Sequence, residues 1–244
     1  MAFQELRLKP WICEAKGTEL IQNIWKKKGK QLHRQLRRAQ IVSKYLKERP
    51  GKVLDIGCGE GFITSFISQV SDYAVGVEPN IHSLTVARKR VKQADFVHAT
   101  IEYLPFRDHS FDAVCLLEIL EHLPEESLSE GIKETDRVLR TGGTLLISVP
   151  YRERIQFTQC IHCGKLTPLW GHLRSLDEHK VTELLPSCYR LTKKKYMPNV
   201  GILSCLNIFQ PLPLELWILI NDFLGVIKKG YWIILKYIKI ELRP

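Results

Sequence analysis

Glu118, Glu121 and His122 fall in one five-residue stretch, and two carboxylates with an imidazole at that spacing can reach a common point. Groups of these types take a proton from a hydroxyl, or hold a divalent ion that lowers the hydroxyl's pKa. A second cluster, Cys160-Ile161-His162-Cys163-Gly164, is half of a zinc knuckle, because Cys-x-x-Cys presents two thiolates to one tetrahedral ion and no second Cys-x-x-Cys follows. His172 can complete that site. A third feature, Val53-Leu54-Asp55-Ile56-Gly57-Cys58-Gly59-Glu60-Gly61, is an apolar run that breaks into alternate glycines. With no side chains at Gly57, Gly59 and Gly61, a ligand can lie against the backbone at the carboxyl edge of a parallel sheet. That arrangement suits a nucleotide-like cofactor.

The elements that must position these groups follow from periodicity. Val53 to Ile56 reads as a buried strand, and Phe62 to Val70 as the helix after the glycine turn. A second strand, Tyr73 to Val77, ends in an acid at Glu78 and leads to a helix from Asn80 through Val91. Asp95 to His98, Phe111 to Leu117 and Gly142 to Val149 are three further strands, with a helix from Glu125 to Leu139 before the last of these. Strands alternating with helices at this spacing predict an α/β fold with a doubly wound, Rossmann-like, mostly parallel sheet of seven strands. Beyond Pro150 the spacing predicts a helix over Asp177 to Leu185, another over about Leu214 to Ile227, and a final strand over Tyr231 to Ile238. Ahead of the sheet, Thr18 to about Gly29 reads as a short capped helix. A longer helix follows from Leu32 to Leu46, with Arg34, Arg37, Arg38, Lys44 and Lys47 on its outer face.

At 244 residues and 45% hydrophobic content the chain can bury a full core, which favours one large domain over 51–244 preceded by a basic helical segment over 1–50. Lys and Arg number 36 against 26 Asp and Glu, a net charge of +10, with much of the excess between Lys26 and Arg49. That run either attracts anions such as RNA or lipid headgroups, or is a solvated helix face. The 7 cysteines are scattered rather than framed as disulfide pairs, which fits a reducing, cytoplasmic setting. Met1 to Pro10 lacks the apolar run of a signal peptide. Pro198 to Leu214 is uncharged but interrupted by prolines, which permits a peripheral membrane contact and argues against a span.

The dinucleotide fingerprint is G-x-G-x-x-G, whereas here the third glycine comes one residue early and position 62 is Phe. Val53 to Gly61, Glu78, Glu102-Tyr103-Leu104-Pro105-Phe106 and Phe111-Asp112-Ala113-Val114 together resemble the motifs of class I S-adenosylmethionine-dependent methyltransferases, at four successive strand ends over roughly 52–150. The resemblance implies S-adenosylmethionine as cofactor. It places Asp55, Gly57, Cys58, Gly59 and Gly61 at the methionine end, Glu78 and Pro79 at the ribose, Thr100, Ile101 and Glu102 around the adenine, and Glu118 beside the cofactor. One departure is Thr100, where the family often carries an Asp that holds the adenine amino group.

The stretch from Glu118 to His122 resembles the ubiquinone-pathway O-methyltransferases and the small-RNA 2′-O-methyltransferases, in which a Glu-x-x-Glu-His turn and a later His bind a divalent ion. By that likeness Glu118, Glu121, His122 and His172 would hold Mg²⁺ or Zn²⁺, and His172 could not also serve Cys160 and Cys163. In other relatives the same turn binds no ion, and His122, Glu118 and Glu121 remain the candidate catalytic groups. The segments 150–173 and 196–229 lie where the family places substrate lids, and an apolar lid suits a small or amphipathic acceptor such as a quinone precursor, lipid or lipid-linked sugar. The resulting expectation is an S-adenosylmethionine-dependent O-methyltransferase of such an acceptor. The alternatives are an RNA 2′-O-methyltransferase with a Glu-Glu-His metal site and a non-catalytic cofactor-fold module.

Overall fold

The computed structural model describes residues 29–46, 50–161, 163–197, 211–227 and 232–241. The helix expected over Thr18 to about Gly29 lies almost wholly outside these residues, as do Lys47, His162 and 198–210 of the apolar segment. Helix α1 (Gly29–Tyr45) precedes β1 (Lys52–Ile56), α2 (Phe62–Ile67), β2 (Tyr73–Val77), α3 (Ile81–Arg90), β3 (Asp95–Val97), β4 (Phe111–Leu117), α4 (Glu125–Val138) and β5 (Leu139–Pro150). A short ribbon of β6 (Phe157–Gln159) and β7 (Leu166–Pro168) follows, then α5 (Glu178–Leu184), β8 (Tyr189–Met197), α6 (Leu214–Ile227) and β9 (Trp232–Lys239).

The main sheet has seven strands in the order β3-β2-β1-β4-β5-β9-β8. Neighbours from β3 to β5 pair parallel, while β9 runs antiparallel to both β5 and β8. The order reverses between β1 and β4, and it is at such a switch point, beyond the carboxyl ends of the strands, that open α/β sheets bind ligands. The central strands are apolar on both faces because helices cover both: Val53, Leu54, Ala113, Val114, Leu145 and Leu146 are all fully buried. Side-chain caps set two helix starts. Asn80 accepts from the Ser83 amide at α3, and Asp177 accepts from His179 and Lys180 at α5.

Two features depart from the pattern read along the chain. Strand β8 carries Lys193, Lys194 and Lys195 and shows no apolar alternation, yet it completes the sheet edge. Lysines on an edge strand discourage pairing with other chains, so their presence fits the position. Helix α1 turns some of its cations inward. Arg37 and Arg38 are buried, Arg37 donating to the Leu212 carbonyl and Arg38 to Ser148 Oγ, while Ala39, Ile41, Val42 and Leu46 fill the core behind them. Their guanidinium groups lie over the Trp217 and Trp232 rings, as does that of Arg34 over Trp232. Lys44 is tied to Glu215 of α6. Part of the basic face expected to meet solvent thus fastens α1 to α6 and β9.

Candidate active site

The glycine turn takes three left-handed residues in succession of alternation, with φ of 72° at Gly57, 54° at Gly59 and 76° at Gly61. Two of them show different uses of a missing side chain. A Cβ at Gly61 would press on Phe96 at 3.0 Å and Ala87 at 3.1 Å, so this glycine seats the turn against α3 and β3. A Cβ at Gly59 would meet nothing within 4 Å, so this glycine faces open space that a ligand can fill. Asp55, buried at the end of β1, accepts from Thr64 Oγ1 at 2.6 Å and braces the turn against α2. Burial pushes its carboxyl up to about 6 despite that hydrogen bond.

Glu78 at the end of β2 ties the acid to the turn. Its carboxylate accepts from the Gly59 amide and the Asn80 amide, each at 2.9 Å, which orients it and leaves further lone pairs for the hydroxyls of a ribose. His98 hydrogen-bonds the Pro79 carbonyl beside it. After β3, Ile101 is buried against Gly131 of α4 and Glu102 is partly exposed. Burial alone would raise the Glu102 carboxyl, but hydrogen bonds from Ser127, its own amide and Thr100 outweigh it and hold the group below the usual range. Thr100 is thereby engaged with Glu102. Cys58 is half-buried, and burial pushes its thiol far up, so it lines the turn as a neutral group. An open backbone cradle beside an oriented carboxylate is what the ribose and methionine portions of S-adenosylmethionine require, and the residues present fit it.

The second half of the site is the turn after β4. Ile119 packs on Gly57, where a Cβ would come within 3.1 Å of it, so this turn adjoins the glycine turn directly. Glu118 adopts φ 60°, a conformation that costs a non-glycine residue about 1–3 kcal/mol and is held here from two sides. Its amide donates to the Ser148 carbonyl, and its carboxylate accepts from Ser148 Oγ and lies 3.5 Å from Arg38. Glu121 is 1% exposed, and neither carboxylate oxygen has a hydrogen-bond partner. Burial, reinforced by the charge on Glu118, pushes its pKa well above the carboxylate range.

His122 and His172 stand edge to face with ring centroids 4.7 Å apart. The Nδ1 of His122 faces the Gly171 carbonyl at 3.2 Å; a carbonyl only accepts, so Nδ1 carries the proton and Nε2 keeps its lone pair. Burial and the neighbouring His172 hold the His122 pKa below the ordinary histidine value. The Nδ1 of His172 hydrogen-bonds Glu153. One ligand atom from each of Glu121, His122 and His172 falls within 4.8 Å of the others.

The structure therefore unites three of the four expected metal ligands and turns Glu118 to Arg38 and Ser148 instead. The orphaned oxygens of Glu121 fit a cation or a retained proton, and histidines whose second nitrogen is bonded to a carbonyl or carboxylate are oriented as metal ligands are. His172 serves this cluster; Cys160 and Cys163 sit on the β6–β7 turn and join no group of three or more ligand atoms among the described residues. Arg174 was not singled out along the chain, yet it clamps the site. It donates to the Leu120 and Leu123 carbonyls while the Leu173 amide donates to the Glu121 carbonyl, stapling 171–174 onto the turn that holds the acid groups. An arginine two residues after a histidine carries no pattern that signals this. A cavity of about 760 Å³ lined by Lys52, Tyr73, Asp95 and Phe111 opens at the amino ends of the strands, on the opposite edge from this site.

With that geometry in hand, the comparisons with known proteins are specific about the cofactor half. The sequence profile of a methyltransferase domain matches residues 54–147. A probable S-adenosylmethionine-dependent methyltransferase of Mycolicibacterium smegmatis is 35% identical over 152 residues, 61% of this chain and 56% of that protein. The ubiquinone/menaquinone biosynthesis C-methyltransferase of Hahella chejuensis is 30% identical, covering 63% of this chain and 67% of its own length. Among solved structures, Burkholderia thailandensis 1,6-didemethyltoxoflavin-N1-methyltransferase, bound to S-adenosylhomocysteine, superposes with a TM-score of 0.59 at 16% identity, over 90% of this chain and 82% of that one. That likeness is one of fold. The chain spans little more than half the length of the mycobacterial relative.

Proposed function

We propose, since the chain belongs to the class I S-adenosylmethionine-dependent methyltransferases, that it moves the sulfonium methyl of S-adenosylmethionine to an oxygen of a small or amphipathic acceptor. The observation that supports this is the turn Glu118 to His122, whose Ile119 packs directly on Gly57 of the glycine turn and whose half-buried His122 has its pKa held below the ordinary histidine value by burial. Methyl transfer from sulfur is an in-line displacement on carbon, and positioning alone can supply about 7–11 kcal/mol of the barrier reduction. The cradle and Glu78 would fix the donor. A hydroxyl acceptor must also lose its proton, and Nε2 of His122, left with its lone pair while Nδ1 is anchored on Gly171, is the group assigned to take it. Burial, which lowers the His122 pKa, favours the unprotonated form of that nitrogen.

The acceptor class rests on the apolar surfaces toward the end of the chain. Leu216, Leu219 and Phe223 form an exposed stripe along α6, and no helix of the described residues is long and apolar enough to cross a membrane. An acceptor with an apolar portion, such as a quinone precursor or a lipid, suits such a surface. The C-methyltransferase relative keeps carbon open as the acceptor atom, since carbon acceptors also surrender a proton.

A metal-assisted form of the reaction is a second reading, favoured by the convergence of Glu121, His122 and His172. A divalent ion bound there would lower the pKa of the acceptor hydroxyl. An RNA acceptor draws less support, because Arg37 and Arg38 are buried in the fold. The test is methyl transfer from labelled S-adenosylmethionine into separate lipid, RNA and small-metabolite extracts, with and without chelator. Transfer into lipid or small metabolites supports the proposal; failure to bind S-adenosylhomocysteine in calorimetry would remove it.

A further inference from the structure

Successive strands from β1 to β5 are joined by helices at every step but one: α2 follows β1, α3 follows β2 and α4 follows β4. The link of residues 98–110 between β3 and β4 carries no helix among the described residues. A parallel crossover ordinarily lays a helix over the sheet, so one face of β2 and β3 is left without that cover. Tyr73 and Val75 of β2 share this face with Asp95 and Val97 of β3, by alternation and by the register that sets Val75 beside Asp95 and Val77 beside Val97. These four residues line the cavity of about 760 Å³ at the amino ends of the strands. Small-molecule sites ordinarily span roughly 300–1,000 Å³, and this one falls among them.

The helix-free link supplies another part of the lining, and α4 pins it in place. The Leu104 amide donates to Glu134 at 2.9 Å, while Arg137 donates to the Leu104 carbonyl at 2.9 Å and to the Phe106 carbonyl at 2.7 Å. Phe106 stands edge to face on Phe111, with ring centroids 5.0 Å apart. Together with Val75, Val91 and Pro105 these rings give the cavity an apolar lining. Walls set in advance spare a ligand the cost of ordering them.

Charge around the cavity is one-sided. Lys52, Arg88, Lys92 and Arg107 line it against a single carboxylate, Asp95, which accepts from the Tyr73 hydroxyl. None of the four cations joins a salt bridge among the described residues. Arg88 donates to the Phe96 carbonyl and Lys92 to the Arg88 carbonyl, and these neutral acceptors leave both positive charges in place. An inorganic anion would use the cations and leave the apolar lining wet, and a neutral apolar molecule would use the lining and not the charge. A molecule with an apolar body and an anionic group uses both.

We propose that this cavity is a second binding site, for an amphipathic organic anion with an aromatic or branched apolar body and a carboxylate or phosphate group. It lies on the opposite edge of the sheet from the cofactor cradle and stands independently of the methyl acceptor.

The probe is 8-anilinonaphthalene-1-sulfonate, whose sulfonate stands for the carboxylate or phosphate. It is titrated by calorimetry and fluorescence into the full chain saturated with S-adenosylhomocysteine, which fills the cofactor cradle. Expected is one site that binds the probe at least about tenfold more tightly than its uncharged counterpart, N-phenyl-1-naphthylamine, with an affinity that falls as salt rises. Lys52 and Arg107 are exposed, so Lys52→Ala combined with Arg107→Ala should keep its circular dichroism and its affinity for S-adenosylhomocysteine. The same double variant should bind the probe about tenfold more weakly. Leu219→Glu, on the exposed stripe of α6, should bind it as the wild type does. Equal affinity for the charged and uncharged probes, unchanged binding in the double variant, or loss of binding in Leu219→Glu would each overturn the proposal.

Discussion

Glu121, His122 and Glu78 each make a separable claim. The Glu121 carboxyl has its pKa raised by burial, so the folded state holds a proton that the unfolded state releases in the ordinary carboxylate range. Stability from this group is therefore complete below the unfolded value of about 4.3 and is lost as pH rises toward the folded one. Glu121→Gln should melt near the wild type at about pH 4 and above it at about pH 8, with no divalent ion present; a lower melting temperature at both ends would contradict the reading. For His122, whose pKa is lowered, the neutral form is full above that pKa and lost as pH falls through it. The acid limb of kcat should thus lie below the ordinary value of about 6.5, and an acid limb above it would exclude His122 as the proton acceptor. Replacing Glu78 with Ala removes the acceptor of two amides along with the expected ribose contact. S-adenosylhomocysteine should then bind roughly 10- to 100-fold more weakly in calorimetry, the loss of about 1.5–3 kcal/mol that goes with a charged hydrogen bond. Of these three residues, Glu78 was identifiable from its place at a strand end, whereas the burial of Glu121, whose carbonyl is bonded by the distant Leu173 amide, has no signature along the chain.

At the level of elements, the staple from Arg174 to the turn after β4 is the contact on which the second half of the site depends. Arg174→Ala removes two hydrogen bonds to the Leu120 and Leu123 carbonyls and the ion pair with the exposed Glu125, of which the ion pair contributes little. Turnover should fall about tenfold or more with cofactor affinity unchanged, because the cradle lies on other loops; equal loss of both would mean that the turn and the cradle move together. Strands β1 to β5 and the helices between them were legible because a parallel sheet covered on both faces needs continuous apolar runs, and Gly57 to Gly61 marks where one stops. Strand β8 was not, since an edge strand with Lys193 to Lys195 looks like a solvated loop. The inward turn of Arg37 and Arg38 was hidden for a different reason. Their partners, Trp217, Trp232 and Ser148, are more than a hundred positions away, and a cation stacked on an indole has the same local pattern as one in water.

Over the whole molecule, a shared cofactor sheet is joined to parts whose roles are set after β5. The methyltransferase profile ends at residue 147, before the ribbon, segment 171–174, β8 and α6. We accordingly assign donor binding to the part within that profile and acceptor choice to the part beyond it. The +10 charge gives a general attraction to anions that any acceptor assay must control with salt, since contacts to phosphate weaken steeply as salt rises. The most direct measurement supplies methyl-labelled S-adenosylmethionine and the full chain to lipid, small-metabolite and RNA extracts at moderate salt and follows the label by mass. The account predicts label in a lipid or small-metabolite product, attached at oxygen and reduced by Glu78→Ala when S-adenosylmethionine is below saturation. Label found in RNA alone, or in no fraction while the protein still binds S-adenosylhomocysteine, would contradict it.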